Sequence, residues 1–506
     1  QYEGRAGNGN LRFLTHTDRG PNAEPTDINN VRSRPFPLPS FQPSWIKFEL
    51  NPTTGKVGNF ERIGLRNKDN SPLTGLPNLQ GPTGLANSDE VGVDVFGRRL
   101  HNDPFGVDLE GITRAPDGTY WMVEEYRPSI LHFDATGKLV ERYVPQGSNA
   151  AGIMTGVEAL PRVYGQRRGN RGFEAIAFQN GKVYAFIQSA LDNPDLANDN
   201  TSRNSLNLRI LEFDTRTLQP TAEYLYRLES LNADKIGDAV SLGNGKFLVV
   251  ERDDNSGANA FKKVYEIDIA GATDLSKANL SQLPANRTIE TASLEELAAA
   301  GIRPVSKQLY VDLIAAGYNP QNEAKVEGLA LLEGGAIAVV TDNDFGIGGA
   351  TLNPTTGILT PKFPGDQPVF GIITPDVAPD SVSNVANITG TAYDDKLIGD
   401  NRDNRIEGGG GKDMLTGGGG VDTFVYKSAE EGGDMISDFS AGDRIEILAT
   451  RFGGGLRPGV ALRAIAAATG VFVSGTTPTP IGTSANVLYN TTTGVLSFDP
   501  DGTGTR

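Results

Sequence analysis

Along the first 345 residues, short apolar runs alternate with turn signals, which is the pattern of many short β-strands rather than of helices. Four segments follow one plan: an acidic residue, a small residue and apolar positions, then a turn, a second apolar run, and a polar cluster about fourteen residues after the first acid. They are Glu110-Gly111-Ile112 with Trp121 to Glu125, Glu174-Ala175-Ile176 with Tyr184 to Gln188, Asp238-Ala239-Val240 with Phe247 to Arg252, and Glu327-Gly328-Leu329 with Ile337 to Asp342. Pro116-Asp117-Gly118, Asn180-Gly181, Asn244-Gly245 and Gly334-Gly335 supply hairpin turns between the paired runs. Three units run on into a strand that ends in an acid, at Asp134, Asp214 and Asp268. A small antiparallel sheet recurring four times predicts an all-β fold built of β-propeller blades. Phe13 to Asp18 with Trp45 to Leu50 predicts another blade whose first strand lies at or before Gln1, and closure is expected to need at least one blade more. The strand that completes the first blade is expected after Asp344, best at Val369 to Ile373. Within an insertion at 272–322, Ser293 to Glu296 forms a capping box for a short helix ended by Gly301, and Val305 to Ala316 is expected as a second helix.

A different period takes over at Ile388. Apolar residues fall every nine positions at Ile388, Leu397, Ile406, Leu415 and Phe424, separated by glycine- and aspartate-rich stretches. Such a repeat predicts a parallel β-roll, in which a glycine-rich turn presents an Asp and carbonyl oxygens to calcium while a very short strand sends one side chain inward. These units resemble the RTX, or haemolysin-type, calcium-binding repeats of bacterial proteins exported by type I secretion. The resemblance implies calcium as the bound ion and an extracellular or cell-surface location. It carries the ligand position onto Asp395, Asn404, Asp413 and Asp422, with Asp395 sharing an ion with Asp413 and Asn404 with Asp422. Asp394, Asp434 and Asp438 are flanking candidates. Asp434 to Phe439 and Asp443 to Ile445 resemble closing strands, and Asn486 to Phe498 is expected as a hairpin around Thr493-Gly494. The expected organisation is a propeller at 1–375, a linker at 376–384, the roll at 385–450 and a β-rich cap at 451–506.

Charge narrows the chemistry. With 46 Lys plus Arg against 62 Asp plus Glu, the net charge of −16 argues against nucleic acid and anionic lipid as partners. Carboxylate excess suits calcium, and the absence of Cys with three His removes thiolate chemistry and most transition-metal cages. No apolar run approaches the ~20 residues that span a bilayer as a helix.

Equivalent positions in propeller blades converge on the central channel, so Glu110, Glu174, Asp238 and Glu327 are expected in one ring. Asp18, Glu124, Glu125, Glu251, Asp253, Asp342 and Asp344 stand at the other strand position. A ring of that kind needs cations or basic partners, and Arg19, Arg127, Arg171, Arg252 and Lys325 lie within a few residues of these acids. Carboxylates that hold a metal beside arginines that fork onto oxyanions suit the hydrolysis of a phosphate ester. The segments Thr17 to Pro21, Asp108 to Ile112, Asn170 to Ala175 and Val326 to Leu329 resemble the phytase-like domain described as having esterase-like activity, over roughly residues 1–375. The resemblance implies a phosphorylated small molecule or ester as substrate and points to Glu110, Glu174, Glu327, Asp18, Arg171 and Arg252 as the catalytic set. The alternative expectation is a non-catalytic surface or matrix protein that binds a ligand, attaches to cells or self-associates, with the same acids acting as structural ion pairs.

Overall fold

The computed structural model describes residues 1–28, 30–78, 91–149, 152–195, 201–318, 325–347, 350–353, 356, 358–362, 368–374, 380–381, 387–390, 395–459, 461 and 471–503. The chain is all-β apart from short helical turns, and it divides into two compact units, Gln1–Pro375 and Asp376–Arg506. Among the described residues no helix is long and apolar enough to cross a membrane.

Among the described residues, five larger, mainly antiparallel sheets build most of the first unit, beside two small ones at Thr26–Ile28, Val31–Pro35 and Val91–Val93 and at Ala350–Leu352 and Leu359–Pro361. Tyr2–Arg5, Leu11–His16, Ser44–Leu50 and Val57–Gly64 form the first sheet. The second begins with Leu109–Arg114 and adds Tyr120–Glu124, Ser129–Phe133 and Leu139–Pro145, with Val157–Leu160 in parallel at its edge. Phe173–Gln179, Lys182–Ile187, Asn207–Asp214 and Gln219–Arg227 make the third; Lys235–Gly243, Lys246–Arg252, Lys262–Asp268 and Ser306–Asp312 make the fourth. Lys325–Leu331, Ile337–Asp342 and Phe370–Ile373 complete the fifth.

Apolar side chains join each sheet to the next. Leu14 and Trp45 pack with Met122 and Leu131 between the first and second sheets. Trp121, Ile176, Phe186, Phe247 and Val249 link the second, third and fourth, and Leu248, Val264, Val326 and Val339 link the fourth and fifth. Leu11, Phe13 and Leu50 then meet Ala330 and Ala338, so the fifth sheet packs back on the first. The first strands of all five sheets line one cavity of about 190 Å³.

Three expectations are corrected here. The strand expected at or before Gln1 lies just after it, as Tyr2–Arg5, and pairs with Leu11–His16. Phe370–Ile373 pairs with Ile337–Asp342 of the fifth sheet rather than with the first, and its tie to the first is the edge-on contact of Phe370 with Phe13 at 5.1 Å. Within Val305 to Ala316, Ser306–Asp312 is a strand rather than a helix. It pairs along Lys262–Asp268, satisfying a sheet edge that a helix would leave open. The other insertion helix forms at Leu294–Ala299, where Ser293 Oγ accepts the Glu296 amide at 3.2 Å and Glu296 accepts the Ser293 amide at 2.8 Å.

The second unit stacks parallel coils. One ladder runs through Asn387–Thr389, Arg405–Glu407, Thr423–Tyr426 and Arg444–Ile447, and the other through Asp380–Ser381, Lys396–Ile398, Met414–Thr416 and Met435–Ile436. Ile388 pairs with Ile406 and Ile406 with Phe424, while Leu397 pairs with Leu415, so a coil takes two nine-residue units. Their side chains form one buried column, each worth ~1.5–3 kcal/mol of burial. Beyond the coils, Asn486–Asn490 and Leu496–Asp499 form the expected hairpin, joined by Val471–Gly475 in parallel. The proposed linker at 376–384 falls outside the described residues except for the backbone of Asp380 and Ser381.

Candidate functional site

Each acid of the expected ring sits on a β-bulge. Leu109 and Ile112 face Glu124 and Met122, Phe173 and Ala175 face Ile187 and Phe186, Ile236 and Ala239 face Glu251 and Val249, and Val326 and Gly328 face Thr341 and Val340. In every case the inner strand carries one more residue than its partner, and Glu110, Glu174, Asp238 or Glu327 lies within that bulge. Bulges of this type re-aim a side chain out of the regular pleat. The small neighbours are required by close approach: a Cβ on Gly111 would lie 2.6 Å from the Ile176 amide nitrogen, and one on Gly237 2.1 Å from the Val326 carbonyl oxygen. Two residues beyond each acid the same strands carry Ile112, Ile176, Val240 and Leu329, which line the cavity.

The acids do not behave as one ring. Oxygens of Asp108, Glu110 and Glu125 all lie within 4.8 Å of one another. The Glu125 amide donates to the Asp108 carbonyl at 2.8 Å, which fixes the two residues side by side. Asp108 and Glu125 are buried, and Glu125 Oε1 has no hydrogen-bond partner. Burial, followed by the neighbouring carboxylates, pushes the Glu110 and Glu125 carboxyl groups well above their ordinary range. Asp18 is raised by the same causes, burial first and then Asp108 and Asp342. Arg19 Nη1 reaches Asp108 Oδ2 at 2.8 Å and Asn170 Oδ1 at 2.7 Å. Three clustered hard oxygen donors, two of them buried and one of those with an orphaned oxygen, fit a divalent cation.

On the other side the acids are internally paired. Glu174 Oε2 accepts Gln188 Nε2 at 2.6 Å, and its Oε1 lies 3.5 Å from Arg252 Nη2. The same Nη2 donates to Glu327, and Arg252 Nη1 meets Asp254 Oδ1 at 2.5 Å. Burial and the adjacent Glu327 raise Glu174 to about 8, against the opposing pull of Arg252. Burial raises Asp238 to about 7, although its oxygens accept the amides of Leu329 and Ala239, each at 2.7 Å.

Of the residues expected to act, Glu110 stands with Asp108 and Glu125, Asp18 lies near Asp108, Glu174 and Glu327 share Arg252, and Arg171 pairs with Asp234 at 2.9 Å in a half-exposed bridge. The acids of the second strand position divide similarly. Glu124 holds the Arg127 amide and Ser129, Glu251 holds Tyr226 and Lys307, and Asp253 holds Lys262. Their neighbour Glu125 instead stands with Glu110 and Asp108. Asp108 had been read as part of a motif without a role; its place two residues before Glu110 was the available signal.

In the second unit four turn acids each receive a backbone amide from the preceding coil on their own edge. Asp413 Oδ1 accepts the Asp395 amide and Asp422 Oδ1 the Asn404 amide, both at 2.8 Å. Asp434 and Asp443 repeat the contact at 2.9 Å, to the amides of Asp413 and Asp422. One edge therefore carries Asp395, Asp413 and Asp434, and the other Asn404, Asp422 and Asp443. Asp438 caps a neighbouring turn through the Gly417 and Gly418 amides, both at 2.8 Å. A Cβ on Gly408 or Gly417 would stand 2.1 or 2.2 Å from Oδ2 of Asp413 or Asp422, so glycine is what leaves room for the second oxygen. Carboxylates held by one oxygen, with glycine turns around the other, fit calcium. Asp394 lies outside the described residues. Asp443 was missed as a candidate, although it stands nine residues after Asp434.

A family model for phytase-like proteins, described as esterase-like activity of phytase, matches residues 5–345. A model of the RTX calcium-binding nonapeptide repeat matches residues 389–424 in four copies. An uncharacterized secreted protein of Arthroderma benhamiae is 26% identical over 348 residues, which is 58% of this chain and 65% of the relative. The chain thus spans just under two thirds of that curated relative's length. Among solved structures, an α-L-arabinofuranosidase from Clostridium thermocellum overlaps with a TM-score of 0.32 at 9% identity, covering 71% of this chain and 92% of that one. A sialidase from Streptococcus pneumoniae gives 0.28 at 7% identity, covering 73% and 55%. Overlaps that weak carry no argument about fold or chemistry. The extended match at residues 5–345 does: the chain belongs to the phytase-like family, and RTX calcium-binding nonapeptide repeats follow that domain.

Proposed function

We propose that this chain is a secreted phosphate-ester hydrolase whose first unit is a five-bladed β-propeller and whose second is a calcium-loaded roll serving export and extracellular folding. The observation that carries the catalytic reading is the convergence of Asp108, Glu110 and Glu125 within 4.8 Å, with Arg19 on Asp108. Asp108, Glu110 and Glu125 would hold a divalent cation. When bound, such an ion supplies positive charge against the ester phosphate and acidifies water. Arg19 orients Asp108, and Arg252 offers guanidinium N–H groups to a phosphate oxyanion. The roll's acids, Asp395, Asp413, Asp422, Asp434 and Asp438 with Asn404, are the calcium-binding set. That the Arthroderma benhamiae relative is a secreted protein supports an extracellular location.

A second reading, a non-catalytic extracellular binding or self-assembling protein, draws on the internal pairing of Glu174, Glu327 and Asp238. Phosphomonoesterase and phosphodiesterase assays on the calcium-loaded chain, run beside Glu110→Gln, separate the two. Turnover that disappears in the variant supports the hydrolase; a folded, metal-loaded chain without turnover on either ester class supports the binding protein.

A further inference from the structure

Arg252 is charged, buried and fixed in place. It is 2% exposed, its Nε has no hydrogen-bond partner, and its Nη1 is tied to Asp254 at 2.5 Å. A guanidinium in that setting needs an anion on its remaining face at all times, because an unpaired buried charge is costly. Two carboxylates share that face, and they are not equivalent. Glu174 is 1% exposed and anchored by Gln188 at 2.6 Å. Glu327 is 20% exposed, and its carboxylate is held by Arg252. Its strand begins with Lys325, 26% exposed and 4.0 Å from Asp342.

We propose that Glu327 is an exchangeable occupant of an anion seat on Arg252: an arriving phosphate oxyanion displaces the Glu327 carboxylate while Glu174 and Asp254 stay in place. This rests on reading the acids and arginines of the first unit as a phosphate-recognising site and adds a regulatory element to it. No bond forms or breaks; one anion replaces another on the same N–H donors. The phytase-like domain therefore carries its own competitor for phosphate, and its apparent affinity is reduced by the fraction of time Glu327 holds the seat.

The test is inorganic phosphate binding to the full chain by isothermal titration calorimetry at saturating calcium, comparing the natural chain with Glu327→Gln and Glu327→Asp. The first variant keeps the shape and removes the competing charge; the second withdraws the carboxylate by one methylene. About tenfold tighter phosphate binding in either folded variant is expected if Glu327 occupies the seat nine-tenths of the time. Phosphate affinity that is unchanged or weaker in the folded variants overturns the proposal, as does the absence of phosphate binding in all three proteins. Since nothing turns over in this experiment, its outcome is separate from the hydrolase assay: tighter binding without ester hydrolysis keeps the seat and removes the enzyme, and hydrolysis with unchanged binding does the reverse.

Discussion

The carboxylate of Asp238 accepts the backbone amide of Leu329 at 2.7 Å, joining the fourth sheet to the fifth. It also accepts its neighbour's amide from Ala239, so this acid serves the backbone rather than a ligand. Asp238→Ala should therefore lower stability by about 1–3 kcal/mol, the cost of stranding a buried amide, while turnover per folded molecule stays unchanged. Thermal melting followed by tryptophan fluorescence checks this, since both tryptophans, Trp45 and Trp121, are buried in the first unit.

Glu110→Gln and Glu125→Gln should act through the cation. If an ion binds Asp108, Glu110 and Glu125, calcium at about 100 times its dissociation constant raises the stability of the first unit by about 2.7 kcal/mol. That calcium-dependent rise in the tryptophan melting temperature should shrink or vanish in both variants, together with any phosphoesterase activity.

Proton uptake gives a separate handle on the same residues. Asp238 and Glu174 are held at about 7 and about 8 in the folded chain, against ordinary values near 4. As pH rises between those limits, the unfolded chain releases protons that the folded chain retains, so unfolding is favoured increasingly until the folded groups also ionise. In chelator, the tryptophan melting temperature should be higher near about pH 5.5 than near about pH 8.5. Glu174→Gln should flatten that dependence.

Calcium should govern the second unit independently. Stacked acids on each edge of the roll repel until ions bridge them, and extracellular calcium modules bind at about 10⁻⁴–10⁻³ M. Chelation should remove β signal in circular dichroism, and Asp413→Ala or Asp422→Ala should shift the calcium midpoint upward. Because no tryptophan follows Trp121, the fluorescence transition of the first unit reports whether the effect is confined to the roll.

Periodicity was legible wherever one side chain per repeat decides burial. The nine-residue column from Ile388 to Phe424 appears as read, and the acid-plus-small dipeptides mark the bulges of four sheets. What local pattern did not reveal was partner choice. Val305 to Ala316 has helix-compatible composition, yet the open edge of Lys262–Asp268 draws Ser306–Asp312 into a strand. The selection of Asp108 and Glu125 over Glu327 and Arg171 depends on which sheets are neighbours, and that is absent from any one segment. Asp443 escaped for a simpler reason: three extra residues before Asp434 break the count, and the register resumes with Phe424 beside Ile445.

The tier of Ile112, Ile176, Val240 and Leu329 behind the acids has a consequence for traffic. A solute in that cavity meets polar groups as well as aliphatic ones, because Gln1, Thr113, Arg114 and Ser241 line it too; and because four sheets contribute one aliphatic residue each to the tier, a change in any one of them alters the space open to it.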